Sequence, residues 1–294
     1  MKHTVFKGAA TALITPFKNG EIDYESYEAI LEQQISGGIA ALVVAGTTGE
    51  GSTLTDGEHK SIIEFTVEKV NHRVPVIAGT GSNDTAYAVE LSRFAANAGA
   101  DALLLVSPYY NKATQEGLYQ SFRLIAESCG APCILYNVPS RTGCNILPAT
   151  AVRLAEIDNI VAIKEASGDI SQVAELAAIA GDKLDIYSGN DNQIVPILSL
   201  GGSGVISVLS NVLPHETNEI CTKFFEGDVK GSCEMQLKYL PLIDALFSEV
   251  NPIPAKAAMA AMGLCENELR LPLTPMEKAH LDKMLGIMKN EGII

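Results

Sequence analysis

Residues 74–106 read VPVIAGTGSNDTAYAVELSRFAANAGADALLLV. The runs 74–78 and 102–106 are too short for helices and rich in Val, Leu and Ile, as strands buried on both faces are. Between them Tyr87, Ala88, Leu91, Phe94, Ala95 and Ala98 fall on one face of a helix over 84–98. Ser82, Asn83 and Asp84 stand in front of it as candidate caps. Strand, polar turn, helix and second strand make one βαβ unit.

The same grammar runs along most of the chain. Further strand candidates are 9–14, 40–44, 133–136, 160–164, 184–188 and 204–207. Tyr27, Ile30, Leu31 and Ile35 mark a helical face over 24–36, and Ile170, Val173, Ala177 and Ala180 mark another over 169–180. Eight such alternations with right-handed crossovers give a closed (β/α)8 TIM barrel or an open doubly wound sheet. The even spacing favours the barrel, and no GxGxxG follows the first strand, which weighs against a dinucleotide fold. Beyond about residue 213 the pattern is helical throughout, over 215–226, 229–249, 254–262 and 275–289. The expected organisation is a barrel over 1–225 with an appended C-terminal helical region over 226–294. GGSG at 201–204 precedes the last strand and reads as a helix C-cap and turn rather than a phosphate loop.

The chain has 294 residues, 47% of them apolar and 19% charged, enough for a large core. Its 21 basic and 35 acidic residues give a net charge of −14, which disfavours nucleic acid and anionic membrane surfaces as partners. No apolar run approaches a membrane span. The apolar stretch 8–14 runs into Pro16 without a cleavage motif and reads as a strand. Six cysteines without CxxC spacing suit a reducing compartment, so the cytoplasm is expected. The histidines, His3, His59, His72, His215 and His280, show no ligand spacing, and no metal site is expected.

Nearly every strand candidate ends in a polar or glycine-rich cluster: GTTGE (46–50), GTGSN (79–83), SPYYN (107–111), YNVPSRTG (136–143), KEASG (164–168) and SGN (188–190). In a barrel these ends form one rim, where active sites sit. Lys164 closes an otherwise apolar strand. By alternation Ile160, Ala162 and Lys164 share one face and Val161, Ile163 and Glu165 the other, so either Lys164 or Glu165 points inward. Burial favours a neutral amine, which attacks carbonyls and forms Schiff bases. A lysine snorkelling to the rim, or clamping a phosphate, fits the strand equally well. Tyr136 closes the preceding strand and is either a proton shuttle beside Lys164 or a core tyrosine. Arg141 is either a bidentate carboxylate clamp over the rim or a surface arginine. Thr47 and Thr48 offer hydroxyls and N–H groups for a second carboxylate, or simply cap a turn.

Taken together, these motifs resemble the pyruvate-dependent class I aldolases, the family of N-acetylneuraminate lyase and dihydrodipicolinate synthase. The likeness runs from FKGAATALITPF near the N-terminus through NPIPAK (251–256) to LRLPLTP (269–275). YYN, YNVPSRTG and GTGSN resemble the dihydrodipicolinate synthase branch, and Arg141 separates it from the sialic acid lyases. The resemblance implies that Lys164 condenses with pyruvate and that the resulting enamine attacks L-aspartate 4-semialdehyde. Cyclisation then releases 4-hydroxy-tetrahydrodipicolinate, on the way to diaminopimelate and lysine. It also implies a proton relay of Tyr136, Thr47 and Tyr110, the last from a neighbouring subunit. Thr48 would contact the pyruvate carboxylate and Arg141 the semialdehyde carboxylate, while Gly189 and Ile206 would line the site through their backbone. A homotetramer built as a dimer of dimers is implied, with no metal or organic cofactor. Rival readings are an aldolase or dehydratase for sugar acids and a non-catalytic keto-acid sensor.

The resemblance extends to an effector site for L-lysine at His59, Asn83 and Tyr109. Asp56 and Tyr87 depart from it, standing where strongly inhibited bacterial members often carry histidine and carry glutamate. Weak or absent feedback inhibition is therefore expected.

Overall fold

The computed structural model describes residues 4–294, so His3 lies outside the described residues. Eight parallel strands close a barrel: Gly8–Ala12, Ala41–Val44, Val76–Gly79, Ala102–Val106, Cys133–Asn137, Ile160–Glu165, Asp185–Ser188 and Gly204–Ser207. The first strand pairs with both the second and the eighth, which settles the barrel over the open sheet. Closure brings backbones very close at Gly8 and Gly204. A Cβ on Gly204, whose φ is +152°, would stand 1.8 Å from the Gly8 carbonyl oxygen, so only glycine fits.

The two faces of the strands carry different side chains. The interior is built mainly from small or β-branched residues such as Ala10, Ala41, Val43 and Ala162. Its bulk comes from Phe6 and Tyr187, whose rings stack with centroids 4.2 Å apart, and the Tyr187 hydroxyl donates to the Phe6 carbonyl at 2.7 Å. The outer face carries larger residues, among them Leu42, Leu103, Leu105 and Ile163, against which the helices pack. Helix Tyr24–Ser36 buries Tyr27, Ile30 and Leu31 there, and helix Thr85–Asn97 buries Ala88, Leu91 and Ala95. Asp84 caps the latter by accepting from the Ala86 N–H at 2.9 Å, and Asp169 caps Ile170–Ala180 in the same way. Gly201, with φ +88°, follows helix Ile194–Ser199 as a C-cap turn, as expected of GGSG. All six cysteines are free thiols.

Several expectations need correction. The first strand ends at Ala12: the Leu13 N–H still donates to the Val43 carbonyl at 3.0 Å, but the Ile14 N–H turns to the Asn211 side chain. The third begins at Val76, after Pro75, which has no N–H to pair. A hairpin of Phe17–Lys18 and Glu21–Ile22 is too short to leave a period in the sequence. In the sixth strand the register slips: Cys133 pairs with Ile160, but Ile134 pairs with Ala162. The extra residue turns Ile160 to the outer layer and Val161 to the interior, so Ile160 does not share the face of Ala162 and Lys164.

Helix Pro214–Phe225 returns to the first strand, where Asn218 Oδ1 accepts from the Ala9 N–H at 2.9 Å. Helices Val229–Leu246, Ile253–Ala261 and Lys278–Asn290 then gather around a separate cluster that includes Leu242, Ile243, Leu246, Met284 and Met288. The C-terminal region is not helical throughout. Residues 263–277 form no helix and cross back to the barrel rim, where Arg270 grips the Glu58 carboxylate with both guanidinium nitrogens, at 2.5 and 2.7 Å.

Candidate active site

The strand ends place their polar residues around one cavity of about 150 Å3, at the rim expected of a barrel. Lys164 enters it from the sixth strand and is only 5% exposed. Its register partner on the fifth strand is Tyr136, and Nζ lies 4.4 Å from the centre of the Tyr136 ring. Among the described residues no carboxylate pairs with Lys164, so its Nζ opens to the cavity. Gly189 keeps that space free: a Cβ there would come within 2.6 Å of Ala166 Cβ and 3.1 Å of Lys164 Cε.

Glu165 points the other way. It is buried behind the barrel and accepts from Asn137 Nδ2 at 3.0 Å and from the Ser167 N–H at 2.7 Å. The choice that alternation left open is thus resolved with Lys164 inward. A second buried carboxylate, Asp191, accepts from the N–H groups of Val208 and Leu209 and fixes the end of the eighth strand. Burial raises its pKa, partly opposed by its hydrogen bonds and by the charge of Lys164.

Thr47 and Thr48 reach the cavity from the GTTGE turn after the second strand. The turn is held from outside the barrel. Glu50, at its end, is buried and ion-paired with Lys256, also buried, and its other oxygen accepts from the Arg270 N–H at 3.0 Å. Desolvation lowers the pKa of Lys256, and the Glu50 charge opposes that shift. Arg141 lies on a short helix, Pro139–Thr142, inside the segment read as a loop, and reaches the same cavity. Its Nη2 donates to the backbone carbonyl of Asn251 at 3.1 Å.

Lys164, Tyr136, Thr47, Thr48, Arg141 and Gly189 therefore converge on one space. Ile206 does not join them. It is fully buried in the barrel interior, and Val208 lines the cavity instead. Tyr110 points away, 93% exposed, with a left-handed φ of +71° that is strained for a tyrosine. Sequence reasoning assigned no role to Phe247 and Asn251, two cavity-lining residues from the C-terminal region. The motif NPIPAK was the signal for Asn251, but nothing local shows that it reaches the rim.

A larger recess of about 360 Å3 shares Thr47, Tyr136 and Arg141 with the cavity and continues to His59, Tyr87 and Tyr109. Burial lowers the pKa of His59, and Nε2 donates to the Gly79 carbonyl at 2.8 Å. Asn83 does not line the recess; its carbonyl accepts from Asn111 Nδ2 at 3.0 Å. The Tyr87 hydroxyl donates to Asp56 Oδ1 at 3.2 Å, and Lys60 donates to Asp56 Oδ2 at 2.9 Å. Away from both spaces, Glu249, Glu277 and His280 bring ligand-type atoms together, but the Glu249 carboxylate already accepts from the Glu277 N–H and His280 Nδ1.

The model of the Dihydrodipicolinate synthetase family matches residues 5–291. A 4-hydroxy-tetrahydrodipicolinate synthase of Lachnoclostridium phytofermentans is 57% identical over 292 residues, 99% of each chain. A crystal structure of the dihydrodipicolinate synthase of Thermotoga maritima superposes with a TM-score of 0.97 at 44% identity, covering 99% of this chain and 100% of that one. The chloride-inhibited dihydrodipicolinate synthase of Acinetobacter baumannii, complexed with pyruvate, gives the same TM-score, identity and coverage. With a closed barrel, an inward lysine beside a tyrosine and likeness along its whole length, the chain belongs to the dihydrodipicolinate synthetase family.

Proposed function

We propose that this enzyme condenses pyruvate with L-aspartate 4-semialdehyde to give 4-hydroxy-tetrahydrodipicolinate, through a Schiff base on Lys164. The observation that carries this is a nearly buried amine, with no carboxylate partner among the described residues, a phenol against it and an arginine on the same small cavity. The amine adds to the ketone of pyruvate, and loss of water leaves an imine. Loss of a methyl proton gives the enamine, whose carbon attacks the aldehyde. The substrate's own amine then attacks the imine carbon and displaces Lys164. We assign the proton transfers to Tyr136 and Thr47, with a neighbouring subunit's Tyr110 completing the relay, and the pyruvate carboxylate to Thr48. Incubation with both substrates should yield the cyclic product by mass spectrometry. Cleavage of a sugar acid to pyruvate, without that product, would favour the sugar-acid rival.

Arg141 is assigned to the semialdehyde carboxylate. Arg141→Ala should raise the KM for the semialdehyde far more than that for pyruvate, a loss of roughly 2–5 kcal/mol. Equal rises would remove Arg141 from that role.

We further propose a homotetramer, a dimer of dimers, acting in the cytoplasm; no described helix is long and apolar enough to cross a membrane. The 1–225 and 226–294 division is retained as its organisation. Exposed Tyr110 suits a residue lent to a neighbour's site. Mixing Tyr110→Phe with Lys164→Ala protein should restore activity once subunits exchange, because some sites regain both residues. No recovery despite proven exchange would return Tyr110 to its own chain.

Feedback inhibition by L-lysine is proposed to be weak or absent. Tyr87 stands where a carboxylate would meet the effector's ammonium, a contact worth roughly 1.5–3 kcal/mol. Asp56 is a poor substitute because Lys60 and Tyr87 already engage it. Titration of L-lysine to millimolar levels should leave turnover largely intact, and inhibition at submillimolar lysine would overturn this.

A further inference from the structure

Asn251 lies 203 residues from Thr48 in sequence, yet its side-chain Nδ2 donates to Thr48 Oγ1 at 2.9 Å. Its backbone carbonyl accepts from Arg141 Nη2 at 3.1 Å. It is 5% exposed and lines the cavity of Lys164. One residue of the C-terminal region thus touches both groups assigned to the two substrate carboxylates, through different atoms.

A threonine hydroxyl has one proton and two lone pairs, whereas an amide nitrogen is a donor only. With Asn251 Nδ2 on one lone pair of Thr48, the Thr48 proton cannot go to that nitrogen. Thr48 is itself 3% exposed, and among the described residues no acceptor takes its proton. A nearly buried hydroxyl proton without an acceptor, in the wall of a cavity, calls for an acceptor from a ligand. In the structure Nδ2 is the atom that meets Thr48, and the buried Oδ1 has no partner among the described residues.

We propose that Asn251 is a positioning residue for pyruvate: its amide holds Thr48 as a donor and turns the hydroxyl proton into the cavity, toward the substrate carboxylate. This rests on the assignment of Thr48 to the pyruvate carboxylate. The tie to Arg141 runs through the backbone carbonyl, which side-chain substitution leaves in place, so the two substrates respond differently.

Asn251→Ala should raise the KM for pyruvate about tenfold and leave that for the semialdehyde within about twofold. Asn251→Asp should be worse for pyruvate, because its carboxylate accepts the Thr48 proton and sets a like charge beside the substrate. Thr48→Val should reproduce the pyruvate-selective rise on its own. In that background Asn251→Ala should add less than about twofold, since the two residues act as one unit. Equal rises in both KM values, full additivity with Thr48→Val, or an aspartate variant no worse than alanine would overturn the proposal. If Asn251→Ala fails to fold, Asn251→Asp and Thr48→Val still decide it. Borohydride trapping of pyruvate on unmodified protein is the separate control. If Lys164 is not labelled there, the Schiff-base reading fails; if it is labelled and the KM pattern is absent, only the role of Asn251 fails.

Discussion

Lys164→Ala should eliminate covalent capture of pyruvate and lower turnover by about four orders of magnitude or more, because no other lysine among the described residues lines the cavity to form the Schiff base. Reduction with borohydride in the presence of pyruvate, followed by peptide mapping, should place one reduced pyruvyl group on the peptide holding Lys164. The chain has a second buried lysine, which makes the location informative. Lys256 is as inaccessible as Lys164 but is ion-paired with Glu50, and its Nζ also donates to the Glu268 carbonyl at 2.8 Å. Its nitrogen is occupied, whereas that of Lys164 faces open space. An adduct on Lys256, or none, would refute the mechanism. The fold should survive the substitution, since among the described residues Lys164 has no ion-pair partner to strand and its loss enlarges a cavity that already exists.

The largest stability effect is expected at Lys256. Removing it as Lys256→Ala leaves the Glu50 carboxylate buried without a counter-charge. Breaking a buried pair from one side typically costs about 3–5 kcal/mol. The site loses more than the ion pair, since Lys256 Nζ also sits 4.2 Å from the centre of the Phe17 ring. Urea denaturation should show the loss directly. The double change Lys256→Met with Glu50→Gln should recover a large part of it, because neither partner is then charged. A single variant as stable as the parent would mean that water reaches the pair.

The barrel is legible in the sequence because each strand is buried on both faces and each helix on one, which leaves two distinct periods. Lys164 is legible because a charge that closes an apolar strand is costly and therefore stands out. Its neighbour Tyr136 follows from the parallel register. Strict alternation misplaced Ile160, since one inserted residue changes the period without changing composition. Ile206 was expected at the site, yet the cavity is lined two residues further on, at Val208. The motif NPIPAK marks Asn251, but no local pattern brings it to the rim. Its contacts with Thr48 and Arg141 span 203 and 110 residues, and nothing in the intervening sequence encodes which loop it meets.

The GTTGE turn is fastened by Asn251, Lys256 and Arg270, all from the last fifth of the chain. During synthesis the eight strands and Lys164 leave the ribosome well before those three residues do. A nascent chain that has already closed its barrel would hold the nucleophile while Thr48 and Glu50 still lacked their distant partners. The ability to capture pyruvate should therefore arise late and abruptly, as the final helices dock. Premature termination beyond the eighth strand would leave Thr48 and Glu50 without those partners, and the pocket without one of its walls.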